Sequence, residues 1–394
     1  MRDLQHKILS VEDAELFGRR RLPKSLAQQI EGGAGAGTTA RANLSAFESV
    51  TFRPRAAVSY PSRDLSTTVL GHTISMPVLT APTGNIRVYN REGEPAVARA
   101  AGAAGTIACI STFMGYPIEA VAAASSGPVF VQMYYVGGRA NVEAMIERAR
   151  NAGAKALILT VDTAAWAQRE RNVRQRVDRP VTASIRSVLR FAPEVAIRPR
   201  WLVDFMRDRM RIETPMWLGP DGTPVPIWEA SASVLRDTPV WDDLAWIREL
   251  WGGPLIVKGI VRAEDARRAV AEGASAVVVS NHGGCALDGA PATLTALPKV
   301  LDAVGHEVEV LCDSGIRRGT DVVKAVALGA RAVLIGRGYL WAHAAAGGAG
   351  VSRILDVFRQ SIDTTLASLG CQSIRELDRS YVEFPQSWHA AEPR

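Results

Sequence analysis

The chain has 394 residues, with 46 lysines and arginines against 40 acidic residues and a formal net charge of +6. Hydrophobic residues make up 47% and charged residues 22%, a balance that excludes a disordered chain and suits a large packed core. The arginines are scattered apart from a denser stretch at 179–211, and no nucleic-acid motif accompanies them, so nucleic-acid binding is not expected.

Residues 1–75 begin without an apolar signal segment. They hold a predicted helix at 11–17, a glycine patch at 32–37 and an extended region near 51–70. Together they read as an N-terminal helical cap. Eight short apolar runs follow, each closing on a polar or small residue: 77–81, 106–111, 129–134, 156–162, 254–258, 276–280, 308–313 and 332–336. Alanine-rich helical patterns lie between or after them at 93–104, 141–152, 263–272, 320–328 and 351–369. Alternation of strand and helix means a parallel sheet, and this number of strands closes a barrel. The expected fold is therefore α/β, a (β/α)8 TIM barrel forming one domain over 1–394. A long insert after the fourth strand, 164–241, breaks the rhythm. It carries Trp201, Phe205, Met206, Met210, Met216, Trp217 and Trp228 among arginines. It reads as a lid packed on the barrel, and its composition also suits peripheral contact with a membrane. The four cysteines, Cys109, Cys285, Cys312 and Cys371, are widely spaced and match no zinc pattern. A cytoplasmic location without a metal is expected.

Chemistry concentrates where the strands end. Asp162 closes the fourth run, Lys258 the fifth and Asp313 the seventh, while His282 follows the sixth and Gln132 and Tyr134 close the third. In a barrel these ends share one face. A neutral histidine there can take a proton, and Asp162 is the carboxylate placed to orient it. Asp313-Ser314-Gly315-Ile316-Arg317 after the seventh strand and Gly336-Arg337 after the eighth form glycine loops opening on helix N-termini, a phosphate-binding pattern. Proton and hydride chemistry on a bound organic cofactor is the expected activity.

These residues resemble the FMN-dependent 2-hydroxy-acid oxidase and dehydrogenase family, from Arg21-Leu22-Pro23-Lys24 to about Leu377. The resemblance implies FMN as cofactor, with Pro82, Thr83, Gly84, Ser111, Gln132, Thr160 and Ser280 in contact with it. It implies Lys258 beside the flavin N1 and C2 carbonyl, and Asp313, Gly315, Arg317, Gly336 and Arg337 at the phosphate. His282 would be the base and Asp162 its partner, with Tyr134 and Arg169 facing the substrate. A small-molecule or modified-peptide substrate and a homo-oligomer, often a tetramer, are implied as well. Strict oxidases of the family more often carry alanine at the position of Gly84.

Two positions depart from the family pattern. Cys285 stands where Ser-Asn-His-Gly-x-Arg supplies an arginine that clamps the substrate carboxylate, and Gln29 stands where a tyrosine contacts that carboxylate. A cysteine cannot replace a bidentate guanidinium. Within the family, the pre-mycofactocin synthase branch is most similar, through Arg198-Pro199-Arg200-Trp201-Leu202, Glu249-Leu250-Trp251-Gly252-Gly253-Pro254 and Gly338-Tyr339-Leu340-Trp341. That branch deaminates a neutral, peptide-derived amino-lactam oxidatively, and usually carries asparagine where this chain has Cys285. The expectation is an FMN-dependent oxidoreductase acting on such a neutral substrate. The alternative is an L-2-hydroxy-acid dehydrogenase or oxidase, for lactate or mandelate, that relies on Arg169 alone.

Overall fold

The computed structural model describes residues 5–165, 169–174, 185–234 and 237–389. Eight parallel strands close a barrel: β1 Val78–Thr80, β2 Ala108–Ser111, β3 Val129–Met133, β4 Ala156–Thr160, β5 Leu255–Ile260, β6 Ala276–Val279, β7 Glu309–Asp313 and β8 Ala332–Ile335. They pair in chain order, and β8 returns to β1. The expected (β/α)8 barrel is the observed one. β5 continues past Lys258 to Ile260, and its register with β6 shifts between those two residues. Gly259, at φ 110°, supplies the left-handed backbone for that shift.

Alternation with period two sorts the strand side chains. Leu79, Cys109, Phe130, Ile158, Ile256, Val278, Leu311 and Leu334 fill the barrel interior, joined by Val69 and Ile74. The last two belong to an antiparallel hairpin, Thr67–Val69 with His72–Ile74, which begins in the region expected only to be extended and runs past it. The intervening residues, among them Ile110, Val131, Leu157, Val257, Val277 and Val333, face the surrounding helices in the main core. Cys109 and Cys312 are buried, as core packing requires.

Before the barrel the chain forms three helices, Val11–Arg21, Lys24–Glu31 and Thr38–Glu48, where one at 11–17 was expected. The second is only eight residues long and the third is built largely of small and polar residues, so neither stands out in the sequence. The C-terminal helix also starts earlier than expected, at Arg337, and its helical path breaks at Ala346 and Gly347. The helix Thr38–Glu48 is tied to the loops after β6 and β7. Asp288 accepts from Thr39 N at 2.8 Å and Ala36 N at 3.0 Å. Asn43 and Asn281 exchange side-chain hydrogen bonds, both 2.8 Å. Gly284 leaves so little room that a Cβ there would meet Ala40 N at 2.5 Å.

Gly315 is tighter still, since it combines φ 89° with a Cβ direction that points into the Asn43 carbonyl. Gly315→Ala is therefore expected to destabilise the protein by roughly 2–4 kcal/mol and to reduce the FMN it retains. Thermal melting and flavin absorbance check this. Unchanged values for both would show that the cap helix is free to move away.

The insert comprises the helices Glu170–Arg174, Ile185–Ala196, Pro199–Arg207 and Ile227–Val234, with a hairpin of Glu213–Leu218 and Pro224–Pro226. Its aromatic and methionine residues divide. Trp201 and Met216 are buried, whereas Met206, Met210 and Trp228 are exposed. The lid expectation describes its inner face alone. Part of the arginine-dense stretch at 179–211 lies outside the described residues.

Candidate active site

The same alternation that fills the barrel interior turns polar at its last layer. Ser111 Oγ donates to Gln132 Oε1 at 3.0 Å, and Gln132 Nε2 donates to Thr160 Oγ1 at 3.0 Å. Across the barrel, Lys258 Nζ donates to Ser280 Oγ at 2.9 Å and lies 3.2 Å from Asp313 Oδ2. All six are buried. Burial alone would lower the Lys258 pKa, but the Asp313 and Asp162 carboxylates outweigh it and hold the ammonium above its ordinary range. A fixed cation thus sits in a polar floor over an apolar lumen.

His282 stands beside this floor. Asp162 Oδ1 lies 3.1 Å from His282 Nδ1. A carboxylate only accepts, so Nδ1 carries a proton, and in the neutral ring Nε2 is then the nitrogen with the lone pair. Tyr134 Oη lies 3.2 Å from that Nε2. Asp162 is mostly buried, which would raise its pKa, yet the His282 charge, their hydrogen bond and the Lys258 charge bring it below the usual carboxylate range. Burial pushes the Tyr134 phenol far above its ordinary value, and the Asp162 charge adds to this, so Tyr134 stays a neutral donor. His282 has φ 58° and is followed by Gly283 and Gly284 at 68° and 76°. Such left-handed backbone in a non-glycine residue is held here by side chains. Ser280 Oγ accepts from His282 N at 3.1 Å, and Ser314 Oγ accepts from Gly283 N at 2.9 Å.

The glycine loops after β7 and β8 bring Arg317 and Arg337 together. Burial first, and the neighbouring Arg337 charge second, push the Arg317 pKa down to about 10. Two adjacent guanidinium groups among glycine turns suit a bound phosphate. Their side chains differ from the expectation, however. Arg337 donates to the carbonyls of Ile30 and Gly283, both at 2.9 Å, and of Gly32 at 3.0 Å, and lies 3.3 Å from Cys285 Sγ. These contacts clamp the cap turn to the loop carrying His282, and the Arg317 guanidinium donates to the Ile316 carbonyl at 2.9 Å. Two buried polar atoms at the strand ends, Thr80 Oγ1 and Asp162 Oδ2, lack a hydrogen-bond partner among the described residues. The donor set, the paired arginines and these open acceptors fit a flavin mononucleotide.

The remaining sequence-derived residues lie as follows. Pro82, Thr83 and Gly84 follow β1, where a Cβ on Gly84 would meet Phe113 Cβ at 2.8 Å. Arg169 forms a bridge with Gly35 of the cap, and its charge acts on both Tyr134 and Tyr89. Gln29 is on the cap helix Lys24–Glu31. Cys285 turns its thiol to the Gly32 carbonyl at 3.2 Å. Phe113, absent from the sequence expectations, stacks on Tyr134 with ring centroids 5.1 Å apart. Asn43 and Ser314 were missed as well, because their partners are far away in sequence or set by turn geometry. Among the described residues no group of three or more His, Cys, Asp or Glu is placed to hold a metal ion.

Residues 18–384 match the family model described as FMN-dependent dehydrogenase. The chain is 44% identical over 382 residues to pre-mycofactocin synthase of Mycobacterium tuberculosis (strain ATCC 25618 / H37Rv), covering 95% of this chain and 94% of the relative. It is 36% identical over 376 residues to glycolate oxidase of Spinacia oleracea, covering 95% and 96%. Among solved structures it is similar to one described as the monotopic membrane protein (S)-mandelate dehydrogenase, with TM-score 0.89, 36% identity and coverage of 96% and 100%.

Proposed function

The chain belongs to the FMN-dependent dehydrogenase family, and from that premise we propose that it oxidises a carbon bearing an amine, next to a carbonyl, in a neutral peptide-derived substrate. It is an FMN-dependent oxidoreductase of the hydroxy-acid oxidase family. When bound, FMN accepts the hydride, that is, the electron pair of the substrate C–H bond. Arg317 and the glycine loops after β7 and β8 hold its phosphate, and Lys258 carries the positive charge that balances the electrons it takes up. Ser111, Gln132, Thr160 and Ser280 supply polar contacts, with Pro82 to Gly84 and the carboxylate of Asp313 beside them. His282 Nε2 receives the proton from the substrate nitrogen as the C–H bond breaks and a C=N bond forms. Asp162 stabilises the resulting imidazolium. Tyr134 donates to the substrate carbonyl, and water then hydrolyses the imine to the keto product and ammonia.

One observation carries the neutral-substrate reading. Position 285 presents a thiol turned to a backbone carbonyl, and the adjacent guanidinium of Arg337 is taken up by three carbonyls. Gln29 adds no charge. A carboxylate left unpaired in this pocket costs roughly 3–5 kcal/mol, on the order of a thousandfold in binding. Pre-mycofactocin synthase relatives support a lactam-type substrate. The Arg169 charge near Tyr134 favours a second reading, oxidation of an L-2-hydroxy acid whose carboxylate Arg169 grips.

Anaerobic flavin bleaching separates the two. A 3-amino-2-pyrrolidinone bearing a hydroxybenzyl group is expected to bleach the purified protein about a thousandfold more efficiently than L-lactate or L-mandelate. Rapid bleaching by the hydroxy acids would show that Arg169 suffices. The same reading expects a homotetramer, checked by sedimentation, working in the reducing cytoplasm where its free thiols persist.

A further inference from the structure

We propose that the outer face of the helix Pro199–Arg207, with the turns on either side of it, docks on an anionic membrane surface. At about 3.6 residues per turn this helix has two distinct faces. Trp201, Asp204 and Phe205, with Asp208 just after the helix, point inward. Trp201 is buried, donates from its indole to the Val88 carbonyl at 2.8 Å and stacks on Phe205 with centroids 4.9 Å apart. Asp204 pairs with Arg21 and lies 3.6 Å from Arg91, and Asp208 binds Arg87 through two contacts of 2.6 Å. The acidic side chains of this segment are therefore turned toward the barrel and matched there.

What remains outward is apolar and basic. Val203, Met206 and Met210 are 45%, 60% and 59% exposed, and Ile197 in the preceding turn is 64% exposed. Arg200, Arg207, Arg209 and Arg211 are exposed around them, Arg211 with Glu213 at 4.0 Å. Arg209 and Met210 both adopt left-handed backbone, at φ 57° and 54°. Non-glycine residues rarely adopt that conformation, and here it displays Met210 at a turn tip. Flexible apolar side chains ringed by arginine, on a convex helix with its acids withdrawn, complement a bilayer interface with negative headgroups. Among the described residues no helix is long and apolar enough to cross a membrane, so this contact is with the surface.

The test is flotation of the FMN-loaded full chain with vesicles of phosphatidylglycerol and phosphatidylcholine, or of phosphatidylcholine alone. The expected result is salt-sensitive flotation with the anionic vesicles. Met206→Asp with Met210→Asp lowers it about tenfold or more, and Met206→Leu with Met210→Leu retains it. Both variants keep flavin content and flavin reduction, so the outcome is independent of the substrate reading. Absence of flotation with anionic vesicles, or flotation unaffected by the aspartates, overturns the proposal. So does a change of oligomeric state in the aspartate variant, because a second copy of the chain would then be what covers this face.

Discussion

Replacing His282 with glutamine is expected to leave FMN bound and to slow its anaerobic reduction by roughly 10²–10⁴-fold. The His282 side chain is not part of the polar floor formed by Ser111, Gln132, Thr160, Lys258, Ser280 and Asp313, so cofactor retention should persist. Its backbone is held independently, by Ser280 Oγ at its own amide and Ser314 Oγ at the next. What glutamine removes is the basic nitrogen opposite Tyr134 Oη and the imidazole that Asp162 orients at 3.1 Å. Asp162→Asn should slow reduction as well, since it removes the charge that stabilises the imidazolium. The wild-type pair should survive across neutral pH. Asp162 has a depressed pKa, so its contribution is present above the ordinary value of 3.8 and is lost only as pH falls through its lower folded value. Stopped-flow absorbance with the amino-lactam measures the effect, and reduction of the glutamine variant at the wild-type rate would remove His282 from its assigned role.

Local patterns made the barrel and much of this site legible. β2 to β7 are short apolar runs whose inward alternation continues one step into a polar residue, so Ser111, Gln132, Thr160, Lys258 and Asp313 announced both the strand and its functional end. His282 followed from its place after β6. His343, which is fully buried where His282 is partly exposed, shows how place decides chemistry. Burial pushes its pKa down to about 4, and it faces the Asn90 carbonyl rather than a carboxylate. Contacts between distant segments were not legible. Asn43 and Asn281 are paired across 238 positions, and neither carries a periodicity that could reveal it. The Arg337 side chain reads with its glycine loop as part of a phosphate-binding pattern. Its turn toward Ile30, Gly32 and Gly283 depends on where the cap folds. Likewise, the composition of the insert did not show which side of helix Pro199–Arg207 faces inward, which is set by the distant Arg21 and Arg87.

Lys258→Met should have the second large effect, and it separates structure from chemistry. The side chain is buried between Ser280 and Asp313, with Asp162 also in electrostatic reach. Removing one partner of a buried ion pair leaves the other carboxylate uncompensated, at about 3–5 kcal/mol. Because the Lys258 pKa is raised, its contribution is complete below the ordinary value of 10.5 and is lost as pH climbs through the higher folded value. The stability gap between wild type and variant should therefore be constant near neutrality and narrow only in strong alkali, which thermal melts across pH will report. Lys258→Met combined with Asp313→Asn deletes both charges and should recover most of the lost stability. Flavin reduction should not recover with it, because the cation that balances the incoming electrons is still missing. A double variant that regains both stability and wild-type flavin reduction would make Lys258 a structural counter-ion and nothing more.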